Sequence, residues 1–285
     1  MRQARLYDVP EEFAEMMVKH LSESMNVRVQ RTEEPLLLEV HVDPDNPKEL
    51  IQVSLHNTFR TYMANGDMNT AVDYLNNTIR VTQFIQTKKD EVMKLDSAYI
   101  YPAIREDRYV QEAGMGMNFI SDPYLPGLSV IYIEIKESCS KIISEASLEY
   151  NPRLTAGKVK HLAYRNLRSA GWQASRISLQ SPARNSCHIE LYTDNSHPIE
   201  CQFLLPEMTL HNLPSSCLVA YSNRKTALMM HSEERMDTVA QAVRLANKSK
   251  FKDVVKRSWH MMPNPVSDQI FWINNGVAKL LEGTE

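Results

Sequence analysis

Residues 216–231 read Ser-Cys-Leu-Val-Ala-Tyr-Ser-Asn-Arg-Lys-Thr-Ala-Leu-Met-Met-His. Two apolar runs, 217–221 and 227–230, flank a polar turn of Ser222, Asn223, Arg224 and Lys225. Two short apolar runs split by turn chemistry predict a β-hairpin. Both faces of each run are apolar, so the hairpin belongs in a sheet covered on both sides. Asn223 and Arg224 are expected at its exposed tip.

The segments around it alternate hairpins with single helices. A helix is predicted over residues 8–24, with Asp8 as its cap and Pro10 in its first turn. Strands follow at 27–29 and 36–42, where Leu36, Leu38, Val40 and Val42 alternate with Leu37, Glu39 and His41. Residues 50–65 give a short strand and then a helix stopped by Asn65-Gly66. A long helix from Met68 to about Met93 carries one stripe of Val72, Leu75 and Ile79 and a second of Val81, Phe84, Ile85 and Val92.

Strands are predicted at 96–105 and 128–135, with a return strand at 141–148. Residues 155–170 show the clearest helical period: Val159, Leu162, Ala163, Asn166, Leu167 and Ala170 fall on one face, and Gly171 ends it. Asn166 inside that stripe needs hydrogen-bond partners, because a buried amide without them costs about 1–3 kcal/mol. A strand at 187–192, a Pro206-kinked helix over 198–211 and a single helix over 233–256 come next. Asn274-Asn275-Gly276 then marks a closing hairpin. This order predicts an α+β fold with largely antiparallel or mixed sheets packed on long helices. Residues 106–127, rich in charge and holding Gly114-Met115-Gly116, are expected to connect an N-terminal lobe (1–105) to a C-terminal lobe (128–285).

Composition limits function. The net charge of -3 gives no electrostatic footprint for nucleic acid. No apolar run approaches the roughly 20 residues of a membrane helix, and the first residues lack a signal-peptide core, so a cytoplasmic location is expected. Cys139, Cys187, Cys201 and Cys217 lack CxxC spacing and are expected as small buried hydrophobes. Only 8 of 285 residues are glycine, against about 7% on average. The one glycine cluster lacks a phosphate-loop continuation, so no nucleotide cofactor is expected.

Three segments carry a resemblance: IYPAIR (100–105), YRNLRS (164–169) and VAYSNRKTALMM (219–230), with SDQIFWINNG (267–276) at the end. The chain resembles the YtpQ-like bacterial proteins, a family defined as a domain of unknown function. Ser222 and Lys225 stand where that family's turn often has proline and aspartate. The resemblance implies a bacterial cytosolic α+β protein and supplies no catalytic residues.

Two constellations hold reactive side chains. Arg105, Arg168 and Arg224 end otherwise apolar elements, and guanidinium forks suit carboxylate or phosphate; with Asn166 and Asn223 they form a candidate anion site. His188, Glu190, Asp194, His197, Glu200 and Cys201 are dense in ligand-capable atoms, and His188, Glu190, His197 and Cys201 form a candidate metal set. No known catalytic motif appears. The leading expectation is a non-catalytic binding or scaffold component acting with a protein partner or as a homo-oligomer. The second is a hydrolase using Arg105, Arg168 and Arg224 with His188 and Glu190 on a phosphate-containing or peptide substrate.

Overall fold

The computed structural model describes residues 7–25, 27–41, 50–87, 93–113, 118–136, 140–181, 186–194, 196–205, 214–262 and 264–281. The fold is α+β, and every strand pairing among these residues is antiparallel. No described helix is long and apolar enough to cross a membrane. The chain divides into two compact units, Met1–Val92 with Met261–Asn264, and Met93–His260 with Pro265–Glu285.

The first unit holds β1 (Arg28–Arg31), β2 (Leu37–His41) and β3 (Leu50–Ser54) in one sheet, with α1 (Pro10–Ser24), α2 (His56–Asn65) and α3 (Met68–Thr87). Leu38 and Val40 are fully buried and alternate with half-buried neighbours, as a one-sided strand requires. They meet Phe13, Met17 and Leu21 of α1 and Leu75 and Ile79 of α3 in one core. The N-cap of α1 is Val9, with no side-chain cap, so Asp8 does not play the expected part. Gly66 ends α2 at φ 72, a left-handed conformation that suits glycine. The expected second stripe of α3 (Val81, Phe84, Ile85, Val92) lies outside the described side chains, as do Val42, Gly114-Met115-Gly116, Cys139 and Pro206.

The second unit contains two sheets. β4 (Ile100–Glu106), β5 (Ser121–Leu125), β6 (Leu128–Ile135) and β7 (Ser140–Ile142) form the smaller one. β4 and β6 pair without interruption from Ile100↔Glu134 to Glu106↔Leu128. The lobe boundary expected at residues 106–127 is therefore wrong: its described residues contribute α4 (Asp107–Ala113) and β5, and β5 pairs with β6 in the same sheet as β4. The return strand expected at 141–148 is only β7, followed by α5 (Glu145–Glu149) with a Ser144–Ser147 capping box.

The larger sheet has the order β13-β12-β10-β11-β9-β8, from β8 (Ser175–Leu179), β9 (Cys187–Thr193), β10 (Ser216–Asn223), β11 (Thr226–Ser232), β12 (Phe271–Asn274) and β13 (Val277–Leu280). The predicted central hairpin is β10–β11, and it is covered on both faces. Cys217, Val219, Tyr221 and Met229 join a core with Ile104 and Ile131 of the smaller sheet and Val159 and Leu167 of α6 (Ala156–Ala170). Leu218, Ala220, Leu228 and Met230 face Leu245, Ala246, Phe251 and Val255. Those four belong to α8 (Val239–Lys248) and α9 (Phe251–Met261), where a single helix was expected. Buried Ser249 and left-handed Lys250 (φ 60) break it. Val239, the first residue of α8, is exposed. A short α7 (Ile199–Gln202) replaces the described part of the expected 198–211 helix. The closing hairpin turns on Asn275 (φ 48) and Gly276 (φ 77), two left-handed residues in succession.

Asn166 carries out the role its place in the stripe demands. Its Nδ2 donates to Ser97 O (2.8 Å) and Ile100 O (3.0 Å), pinning α6 to the start of β4. Asn166 is half-buried. Replacing it with Ala should cost about 0.5–1.5 kcal/mol, because the partly buried Ile100 carbonyl loses its donor while water can reach that of Ser97. Asn166→Asp should cost more, since an acceptor would then face two carbonyls. Urea unfolding of both variants measures this, and equal stability across the three proteins would refute the pin.

Candidate functional site

α7 sits against the β10–β11 turn and the end of β4. Ile199 N donates to Arg224 O (2.7 Å), which seats the helix on the turn. Glu200 is fully buried. Its Oε1 accepts from Arg105 Nη1 (3.0 Å) and Arg224 Nε (3.2 Å). Arg105 also donates to Ile104 O (2.6 Å), and Arg224 Nη1 donates to Ser140 Oγ (3.3 Å). Two of the three expected arginines therefore converge, but on an internal carboxylate. Glu200 Oε2 has no hydrogen-bond partner among the described residues. Burial pushes the adjacent Cys201 thiol well up, and the Glu200 charge adds to this. Arg168 is exposed in the last turn of α6 and joins neither partner.

Asn223 does not stand at an exposed tip; it is 1% exposed. Its Oδ1 accepts from Lys225 N (2.9 Å), and its Nδ2 donates to Thr226 Oγ1 and to Ser258 Oγ (3.2 Å). Ser222 Oγ lies 2.7 Å from Ser258 Oγ and 3.0 Å from Thr226 Oγ1. The turn is thus stitched to α9 by a cluster of hydroxyl groups and one amide.

The proposed metal set does not gather. Among the described residues no three of His, Cys, Asp and Glu are placed to hold a metal ion. His188 stacks on His231 (5.1 Å between centroids) and lies 3.7 Å from Glu233. Glu190 is 3% exposed and is held by Arg176, by the Tyr192 hydroxyl (2.8 Å) and by His231 Nε2 (3.4 Å). His197 precedes α7, so it shares no helix face with Cys201. It lies 3.3 Å from Asp194 and stacks on Trp172 (4.5 Å), which in turn stacks on Tyr101 (4.6 Å). Cys201, like Cys187 and Cys217, is a free buried thiol.

The hydrolase set is also divided. Thr226 pairs with Thr193 and His231 with His188, so the histidine pair lies five residues along the strand from the turn. At about 3.4 Å per residue that is roughly 17 Å. Sequence reasoning placed Glu200 among ligand-capable residues but missed its pairing with the arginines. The available signal was an acid inside an apolar run, Ile199-Glu200-Cys201-Gln202-Phe203-Leu204-Leu205. Arg176 gave no such signal.

No protein-family model, curated protein or solved structure matches the chain.

The Glu190 cluster makes stability depend on pH at both ends. Burial favours the neutral Glu190 carboxyl, but the Tyr192 hydroxyl, the Arg176 guanidinium and His231 outweigh it and hold its pKa below the ordinary range. A depressed carboxyl contributes stability above its unfolded pKa and loses it as pH falls through the folded one. Tyr192 is pushed up to about 12 by burial and by its bond to Glu190. Its contribution is complete below the unfolded value of about 10 and disappears as pH rises towards the folded one. Thermal unfolding across pH should show both limbs. Tyr192→Phe should reduce the alkaline slope, to which Tyr124, Tyr164 and Tyr221, also pushed up by burial, contribute as well. An unchanged alkaline slope would contradict the assignment.

Proposed function

We propose that this chain is a non-catalytic protein-binding component and that it belongs with the YtpQ-like bacterial proteins. The family reading is supported by the way its three motif segments meet. Asn166 of the second segment donates to Ile100 of the first, and Arg105 of the first shares Glu200 with Arg224 of the third. These motif residues act as ties between elements.

The observation that carries the binding reading is the edge of the larger sheet. Among the described residues, β8 ends the strand order and pairs with β9 alone. Residues 175–178 are exposed, and Ile177 retains 46% of its surface. An edge strand presents unpaired backbone donors and acceptors that a partner strand can match. The division of the arginines from the His188–Glu190 cluster speaks against the hydrolase reading.

Affinity capture from lysate of the native host, alongside size-exclusion chromatography, tests this. A stoichiometric partner, or self-association, is expected for the unmodified protein. Ile177→Lys places a charge on the edge and should weaken the association about tenfold or more, a loss of at least about 1.4 kcal/mol. A monomer that captures nothing would refute the reading, and undiminished capture by the variant would remove β8 from it.

A further inference from the structure

Residues 93–97 and 150–154 form an open groove of about 570 Å³, a volume ordinary for a ligand site. Asn151 ties its two sides together. Asn151 Nδ2 donates to Met93 O (2.8 Å) and Ser147 O (2.6 Å), and its Oδ1 accepts from Leu95 N (2.9 Å). The groove is therefore held open by a side chain whose own polar atoms are satisfied. Its apolar lining comes from Leu95, Leu154, Pro152 and Tyr150, the last 41% exposed.

Several cations of this unit are paired with acids. Lys136 and Lys141 reach Glu134, Lys160 reaches Asp122, and Arg244 and Lys248 reach Glu234. Lys94 and Arg153 line the groove, are exposed, and have no side-chain partner among the described residues. Lys158 Nζ donates to Arg153 O (3.0 Å), which brings a third positive charge alongside. The segment also leads into the N-terminus of the fifteen-residue α6, whose dipole adds positive potential. The neighbouring acids offset this field in part. Glu134 is offset by two lysines, whereas Asp96, which accepts from Ala98 N (3.0 Å), and Glu149 keep their charge. Among the described residues beside the lining, Lys94, Arg153 and Lys158 outnumber those two acids.

We propose that this groove docks an acidic–apolar peptide segment of a partner protein. Its carboxylates would sit on Lys94 and Arg153, and its apolar side chain against Tyr150, Leu95 and Leu154. The proposal rests on the binding reading only in taking the occupant to be a protein. Charge complementarity selects an acidic segment, and the apolar walls select one that also carries a large hydrophobe.

Fluorescence anisotropy with a fluorescein-labelled peptide, Asp-Glu-Leu-Phe-Glu-Asp, tests the groove directly. The expected result is binding that weakens as ionic strength rises and falls about tenfold or more in the Lys94→Glu, Arg153→Glu double variant. A Lys-Lys-Leu-Phe-Lys-Lys peptide should not bind. Both substituted residues are exposed, and circular dichroism checks that the variant remains folded. Absence of binding, equal binding by the double variant, or equal binding of the lysine peptide would overturn the proposal. The double variant also serves as bait in the capture experiment. Retention of the captured partner would overturn the groove while leaving the binding reading intact, whereas an unmodified protein that captures nothing refutes that reading itself.

Discussion

One buried carboxylate organises the second unit. Glu200 has no solvent exposure, and both Arg105 and Arg224 address the same oxygen. Removing a carboxylate from water is expensive, and a lone guanidinium in the same place would be as costly. The carboxylate cannot leave without stranding the buried Arg105 guanidinium, and it addresses both arginines at once, so the arrangement fixes β4, α7 and the β10–β11 turn together. Such pairs contribute little net stability compared with apolar packing, but breaking one partner away is strongly unfavourable. The knot therefore specifies which elements meet more than it strengthens them.

β4 is the element through which this specification spreads. At its start, the Asn166 amide anchors α6 on Ser97 and Ile100; at its end, Arg105 enters the knot. Between these points β4 pairs with β6 along its whole length. The hairpin turn is held a second time by the Ser222, Asn223, Thr226 and Ser258 cluster. Polar groups that resemble a ligand site in the sequence thus form a frame. Among the described residues, the β8 edge and the groove between residues 93–97 and 150–154 lie outside this frame.

Legibility in the sequence followed the range of the interactions. The central hairpin, the Asn275-Gly276 turn, the Gly66 stop and α6 are local, and turn chemistry or a 3.6-residue period exposes them. β8 was missed because Ser-Arg-Ile-Ser-Leu is an exposed edge strand without a buried face to set an alternation. β5 was missed because Pro123 argues against a strand, although an edge position tolerates it. The break between α8 and α9 depends on Ser249, whose hydroxyl turns back to Leu245 O and whose carbonyl accepts from Ser181. Asn223 appeared to be a solvent-facing turn residue because Ser258, thirty-five residues away, gives no local sign of its approach. Arg105 and Arg224 meet and Arg168 stands apart, and the common partner of the two lies 95 and 24 residues away, beyond any periodicity.

A double-mutant cycle between Arg105 and Glu200, read by chemical denaturation, tests the knot most directly. Glu200→Leu strands the buried Arg105 guanidinium and should destabilise by about 3–5 kcal/mol. Arg105→Met should cost less, because Arg224 still pairs with the carboxylate, and the double variant should lose less than the sum of the two by about 1–3 kcal/mol. Single effects that add to within about 0.5 kcal/mol would show that the two groups do not depend on each other and would contradict the account.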